Sequence, residues 1–319
     1  MKISPTTTPL TISVSMIKVK DNNYEDLEQA LADIPTDNKE EIIIDVQGAI
    51  KGQLRIAKPH LRIRNATFIN NYGGYEILDD GIKRGTFRSY TLFIDADDVT
   101  LENVKVINDS GYDHGQAIAL MIDGDRFKAQ NCEISSYQDT LFLAPLPQEE
   151  YEKGGFRGPL ENRERKMRKA VFENCLIEGS IDFIFGGGEG YFHNCEIRSR
   201  NIHRDINGYV CAPSTPKEQK YGFIFDGCDF TSEEGMECSV YLGRPWRDHG
   251  KCLIIDSRIG KHIVKEGYSD WDKERARSTS EFKETGNIDL GDKDRVAWMK
   301  EVNNQDIEYI DRLRKDESI

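Results

Sequence analysis

A four-residue phrase recurs six times along this chain and restricts its fold more than any other feature. It reads Asn65-Ala66-Thr67-Phe68, Asn103-Val104-Lys105-Val106, Asn131-Cys132-Glu133-Ile134, Asn174-Cys175-Leu176-Ile177, Asn194-Cys195-Glu196-Ile197 and Gly227-Cys228-Asp229-Phe230. Each instance has Asn (once Gly), a small apolar residue, usually a polar one, then a large apolar one. The intervals run from 20 to 43 residues. Alternation within the phrase gives a short strand with one inward and one outward face. Repeats at such intervals imply a stacked solenoid. A leucine-rich repeat needs a Leu-rich phrase and helical repeats need helical periodicity, and neither is present. The expected fold is therefore all-β, a right-handed parallel β-helix, with an irregular β-sandwich as the alternative. Cys132, Cys175, Cys195 and Cys228 are expected to stack along the core.

The rest of the chain fits that frame. Tyr24, Leu27, Leu31 and Ile34 share one helical face and Pro35 follows, which predicts a short helix covering the open end. Leu10, Ile12, Val14 and Met16 alternate with polar residues, as a half-buried strand does and a signal-peptide core does not. One domain is expected over 1–319: a core of about 11–286, an inserted loop at 143–170 and a helical tail at 287–319. A net charge of −13 disfavours a nucleic-acid partner and a heavily ionised polysaccharide, and tolerates an esterified one. Seven cysteines without a CxxC pair suggest buried thiols in a reducing, cytoplasmic setting. The six histidines show no ligand spacing with them, so neither metal nor cofactor is expected. No apolar run approaches membrane-spanning length, and a monomer is expected.

The repeat also pairs two carboxylates. Asp139 lies eight residues after Asn131, and Asp182 eight after Asn174. Matching parity puts both on one face, and adjacent coils would separate them by one strand spacing, about 4.8 Å. Two carboxylates that close cannot both ionise freely, so one is suited to hold a proton while the other stays anionic. The bland alternative is a solvated turn aspartate, which two in register make harder to sustain.

Four blocks carry a family resemblance. Gly115-Gln116-Ala117, Gln138-Asp139-Thr140-Leu141, Asp182-Phe183-Ile184-Phe185-Gly186 and Leu242-Gly243-Arg244-Pro245-Trp246 resemble, in order, the signature blocks of pectin methylesterases. The resemblance implies that Asp182 attacks the methyl-ester carbonyl of a galacturonate unit. It implies that Asp139 protonates the departing methanol and then activates water. Gln116 and Gln138 would donate to the oxyanion, and Arg244 would hydrogen-bond to Asp182. Gln138 and Asp139 are sequence neighbours, so both reach one cleft only if the strand bends there. Trp246, Phe142, Phe183, Tyr268 and Trp271 are the aromatics expected to meet sugar faces, with core packing as their alternative.

The chain departs from the pattern in three places. Phe142 stands where the family commonly has Tyr, and Tyr268 where it has Trp. The insertion is the larger change and ends in Arg163-Glu164-Arg165-Lys166-Met167-Arg168-Lys169. Those cations are either a solvated face or partners for free galacturonate carboxylates that would favour short oligosaccharides. Gly186-Gly187-Gly188-Glu189-Gly190 lacks a following Lys-Ser/Thr and reads as a tight turn, not a phosphate loop. A pectic glycosidase or lyase and a non-catalytic carbohydrate-binding β-helix are the rival functions.

Overall fold

The computed structural model describes residues 17–19, 22–24 and 26–315. The alternating stretch at 10–16 lies outside the described residues. Short strands stack in three parallel columns. The first runs from Ile42–Lys51 to Glu281–Thr285, the second from Lys105–Asn108 to Ile288–Asp289, and the third from Leu54–Ile56 to Val240–Gly243. Long strands in the first coils serve both the first and second columns. The chain is a parallel β-helix, and its last rung reaches Asp289, three residues beyond the expected core.

The corner between the first two columns explains the repeat. Asn65, Asn103, Asn131, Asn174 and Asn194 have φ of 60, 55, 54, 53 and 52°, and Gly227 has 64°. Left-handed backbone favours Gly and is tolerated best by Asn and Asp, whose short polar side chains bond locally. Asp256 (φ 49°) and Gly286 (φ 69°) occupy the same corner in the next two coils. The four stacked cysteines are buried and unoxidised. All four thiols reach carbonyls of an earlier coil: Cys132 to Leu101 at 3.5 Å, Cys175 to Ala129 at 3.5 Å, Cys195 to Phe172 at 3.4 Å and Cys228 to Phe192 at 3.3 Å. Beside them Phe172, Phe192 and Phe225 stack face to face at 4.7 and 4.8 Å.

Helices close and brace the solenoid. Asp26 caps the helix Leu27–Ala32, whose Leu27, Ala30 and Leu31 are buried with Ile34. Tyr24 falls in the strand Asn22–Tyr24, so the helix starts later than expected. The strand Ile17–Val19 pairs antiparallel with both its neighbours at this end. The tail is helical over Asn304–Arg314, started by an Asn303–Asp306 capping box. It buries Tyr309, Ile310 and Leu313 on the outer face of the first column. Its polar groups reach successive coils: Tyr309 bonds Lys169 and Glu189, Asp306 pairs with Lys283, and Arg314 pairs with Asp226 and Asp256.

The insertion lies on the outer face of the third column. Phe156 and Leu160 cover Phe93, Met121, Phe142 and Phe185. Arg163 clamps the buried Asp95 and Asp123, and Arg168 also pairs with Asp123. Arg165 donates to the carbonyls of Pro147, Leu160, Arg163 and Glu161, while Lys166 pairs with Glu164. The basic run therefore fastens the loop to its own scaffold, against the expectation that it meets substrate carboxylates. Gly186, Gly187 and Gly188 form the expected turn. A Cβ there would fall 2.0 Å from Leu143 O, 2.6 Å from Pro145 O and 2.6 Å from Ala144 O, so the insertion's first residues exclude any side chain.

Candidate active site

Leu141 pairs with Ile184, Phe142 with Phe185 and Glu133 with Leu176. The two aspartate-bearing coils are therefore neighbours, offset by 43 residues, as Ser135–Glu178 also shows. The Asp139 amide donates to Ile181 O at 3.0 Å. Both aspartates are buried and both have left-handed backbone, φ 63° at Asp139 and 50° at Asp182. Between Ile181 and Ile184 the strand holds one residue more than its partner, a bulge centred on Asp182. Asp139's positive φ breaks strand alternation beside Gln138 and supplies the expected bend. The local strain sits where two carboxylates are turned together.

Arg244 fixes one of them. Its Nε and Nη2 donate to the two oxygens of Asp182 at 2.8 and 2.6 Å, a bidentate fork spanning coils. The guanidinium lies between two rings, 3.7 Å from the Tyr209 centroid and 3.6 Å from that of Trp271. Burial pushes both carboxyls above the usual range, but unequally. Asp139 is raised well above it by burial and by the Asp182 charge, with Arg244 only partly opposing. Asp182 is raised by burial, against which Arg244 acts by charge and hydrogen bond and Lys273 by charge. Burial thus outweighs the arginine at Asp182, yet the fork leaves it the more acidic member. Such a pair titrates as a unit, with the proton favoured on Asp139.

Gln116 and Gln138 pair across neighbouring coils through a parallel bridge. Both are half-buried, and Gly74 packs against the Gln116 amide where a Cβ would meet Oε1 at 2.9 Å. Two neutral amides on adjacent coils beside a buried carboxylate can donate to a developing oxyanion. The expected groups Asp139, Asp182, Arg244, Gln116 and Gln138 thus share one region.

The aromatics divide. Trp246 is half-exposed over Phe156 and Phe185, and Trp271 stacks on Arg244. Phe142, Phe183 and Tyr268 are corrections: all three are buried in the core. Phe142 packs under the insertion against Phe87 and Phe185, Phe183 faces the coil interior, and Tyr268 packs on Phe282 and Trp298. Tyr209 and Lys273 were not anticipated. Neither lies in a signature block, and Tyr209's only sequence signal is its register opposite Ile181. Among the described residues no group of three or more metal-ligating side chains is assembled.

Comparison with known proteins follows the same blocks. The chain is 27% identical over 292 residues to a pectinesterase of Petunia integrifolia, covering 86% of this chain and 71% of that one. It is 26% identical to pectinesterase 3 of Solanum lycopersicum, again over 86% of this chain, but spans only 48% of that relative's length. In fold it is similar to the pectin methylesterase of Yersinia enterocolitica, with a TM-score of 0.73 at 22% identity over 93% of this chain and all of the other. The pectinesterase family model matches residues 13–151 and 164–311, so its gap falls inside the insertion and its matched segments contain both aspartates and Arg244. On the extent of that match, the chain belongs to the pectinesterase family.

Proposed function

We propose that this chain hydrolyses the methyl esters of galacturonate units in pectin or pectic oligosaccharides, releasing methanol, with Asp182 as nucleophile and Asp139 as acid and base. The observation that carries this reading is the unequal carboxylate pair. Arg244 grips Asp182 through two hydrogen bonds, while Asp139 beside it has no such partner among the described residues and is pushed far toward its protonated form. An ionised carboxylate attacks the ester carbonyl carbon, and the carbonyl oxygen takes up the negative charge. In this reading the Gln116 and Gln138 amides donate to it without adding a cation that would quench the nucleophile. Collapse expels methoxide, which takes the Asp139 proton and leaves as methanol. An anhydride then joins Asp182 to the sugar carboxyl. Asp139, now anionic, removes a proton from water, the hydroxide attacks the sugar carbonyl, and Asp182 departs as carboxylate. Covalent catalysis thus splits one hard step into two easier ones.

The rival carbohydrate chemistries give different products: new reducing ends from a glycosidase, an unsaturated sugar from a lyase, none from a binding protein. The test is methanol release from methylated oligogalacturonates by the wild type and Asp182→Ala. Removal of the nucleophile is expected to cut the rate by more than about 10³-fold. Methanol release unchanged in that variant would refute the mechanism.

A further inference from the structure

The side-chain amide of Gln116 makes no hydrogen bond among the described residues, so its aim depends on its backbone and on what packs against it. On one side that backbone is held by a neighbouring coil. Gln116 bridges to Gln138, and the Ala117 amide donates to Gln138 O at 2.9 Å. On the other side the preceding coil supplies no strand among the described residues. Its strand starts at Leu92, opposite Leu120, and its last ladder contact in this direction is the Thr91 amide, which donates to Ile118 O at 3.0 Å. Before that point the chain turns away through a short 3₁₀ turn at Thr86–Arg88. Buried backbone polar groups still need partners, and at 116–118 they find them outside any ladder.

Three residues take the missing strand's place. The Gly74 amide donates to Gln116 O at 2.7 Å. The Ile118 amide donates to Ser89 Oγ at 3.0 Å, and the Ser89 hydroxyl donates in turn to Thr86 O at 2.6 Å. Asn108 shares its Nδ2 hydrogens among Ile118 O at 3.1 Å, Ser89 O at 2.9 Å and Tyr72 O at 3.1 Å. Ser89 and Asn108 are 0 and 1% exposed, so no bulk water can replace either side chain. Gly74 belongs to a loop that is braced on its own account. The Gly85 amide returns to Gly74 O at 2.9 Å, while Arg84 pairs with Glu76 at 2.7 Å and lies 4.0 Å from the Tyr72 ring centroid. This loop comes so close that a Cβ on Gly74 would fall 2.9 Å from Gln116 Oε1. Gly74 has no left-handed φ, so it is the close approach that calls for glycine.

We propose that Gly74, Ser89 and Asn108 are positioning residues for Gln116, holding its segment on the side where no strand does and so aiming its amide at the oxyanion. This rests on the proposed function, which gives Gln116 the role of donor. Ser89 and Asn108 act through the two backbone groups of Ile118, and Gly74 through Gln116 O and the packing of the amide. A donor aimed in advance costs no reorganisation when charge develops on the carbonyl oxygen. A segment paired on one side only would have to be ordered at every turnover. Here folding orders it once, with buried side chains doing what a strand does elsewhere in the column.

The test is a set of double-mutant cycles on the full chain, read as kcat and KM for methanol release from a methylated galacturonate hexamer and normalised to the folded fraction. Ser89→Ala, Asn108→Ala and Gly74→Ala are each made in the wild type and in Gln116→Ala. Gln116→Ala should lower kcat by about 10²–10³-fold. Each of the three single variants should lower kcat by about tenfold while KM stays within about twofold, the signature of a misplaced donor. In the Gln116→Ala background the same three substitutions should change kcat by less than about twofold, because the group they aim is gone. A structural role alone gives the same fractional loss in both backgrounds. Additive cycles, or single variants at the wild-type kcat, therefore overturn the proposal. If a buried polar variant fails to fold, Gly74→Ala carries the same cycle with Ser89 and Asn108 intact. Gln116→Ala at the wild-type rate would be a different failure, since it refutes the oxyanion role that the proposed function gives this amide.

Discussion

Replacing Arg244 by Met tests the electrostatic logic of the site. Met keeps an unbranched stem and removes both donors to Asp182, at 2.8 and 2.6 Å. It also removes the guanidinium packed between Tyr209 and Trp271. Truncating one side of a buried ion pair costs about 3–5 kcal/mol, and each lost cation–ring contact about 0.5–2 kcal/mol. The first cost falls only on ionised Asp182, so it takes the form of a further rise in that group's pKa. At about 1.36 kcal/mol per pKa unit, kcat/KM for methanol release near neutral pH should fall roughly 10²–10³-fold. Burial already raises Asp182 above its unfolded value, and the variant raises it more. The native state then holds a proton that the unfolded state has released, so stability is lost as pH rises from the usual carboxylate range through the folded pKa. The variant's stability deficit should be about 1–4 kcal/mol near pH 4, from the two lost ring contacts, and grow toward pH 8, while its relative activity recovers as pH rises. Methanol release from pH 5 to 9 and urea denaturation at each pH measure both. A pH-independent deficit would show that Arg244 acts by packing alone, and activity within threefold of wild type would refute the reasoning outright.

Asp139→Asn removes a carboxyl that burial and Asp182 hold well above its usual pKa. Turnover should fall about 10²–10⁴-fold, yet thermal stability should equal or exceed wild type, with a gain that grows as pH rises above the usual carboxylate range; a lower melting temperature at pH 8 would contradict this. At the corner, Asn174 has φ 53°, where a β-branched side chain costs about 1–2 kcal/mol. Asn174→Val should lose about that much in urea denaturation while Asn174→Gly stays near wild type, and equal effects would remove the left-handed corner as the reason for the repeat.

The solenoid was legible because its corner demands a residue tolerant of left-handed backbone once per coil. The repeat became unreadable after Gly227, where Asp256 and Gly286 hold the same corner without the preceding phrase's Asn-Cys pattern. The adjacency of Asp139 and Asp182 was legible because neighbouring coils keep one offset through both columns. Their left-handed backbones were not, since a bulge exists only when a second strand pairs past it. The same irregularity hid the fate of the aromatics. Phe142 and Phe183 sit on or beside bulged strands, where parity no longer tells cleft from core, and the insertion then covers Phe142. The basic run misled for another reason. Its partners Asp95 and Asp123 lie 68 and 40 residues before Arg163 in the chain and come to it only through folding.

The C-terminal helix gains significance from where its bonds land. A stack coupled only between nearest neighbours frays from its ends, and Arg244 belongs to the last rung of the third column. Asn304–Arg314 crosses that stack as a splint, tied to Lys169, Glu189, Asp226, Asp256 and Lys283 on five successive coils. These are the coils that carry Asp182, Tyr209 and Arg244, together with those that follow them. Opening any one of them strains a helix bound to all five, so the catalytic half of the solenoid melts as a single cooperative block instead of one turn at a time.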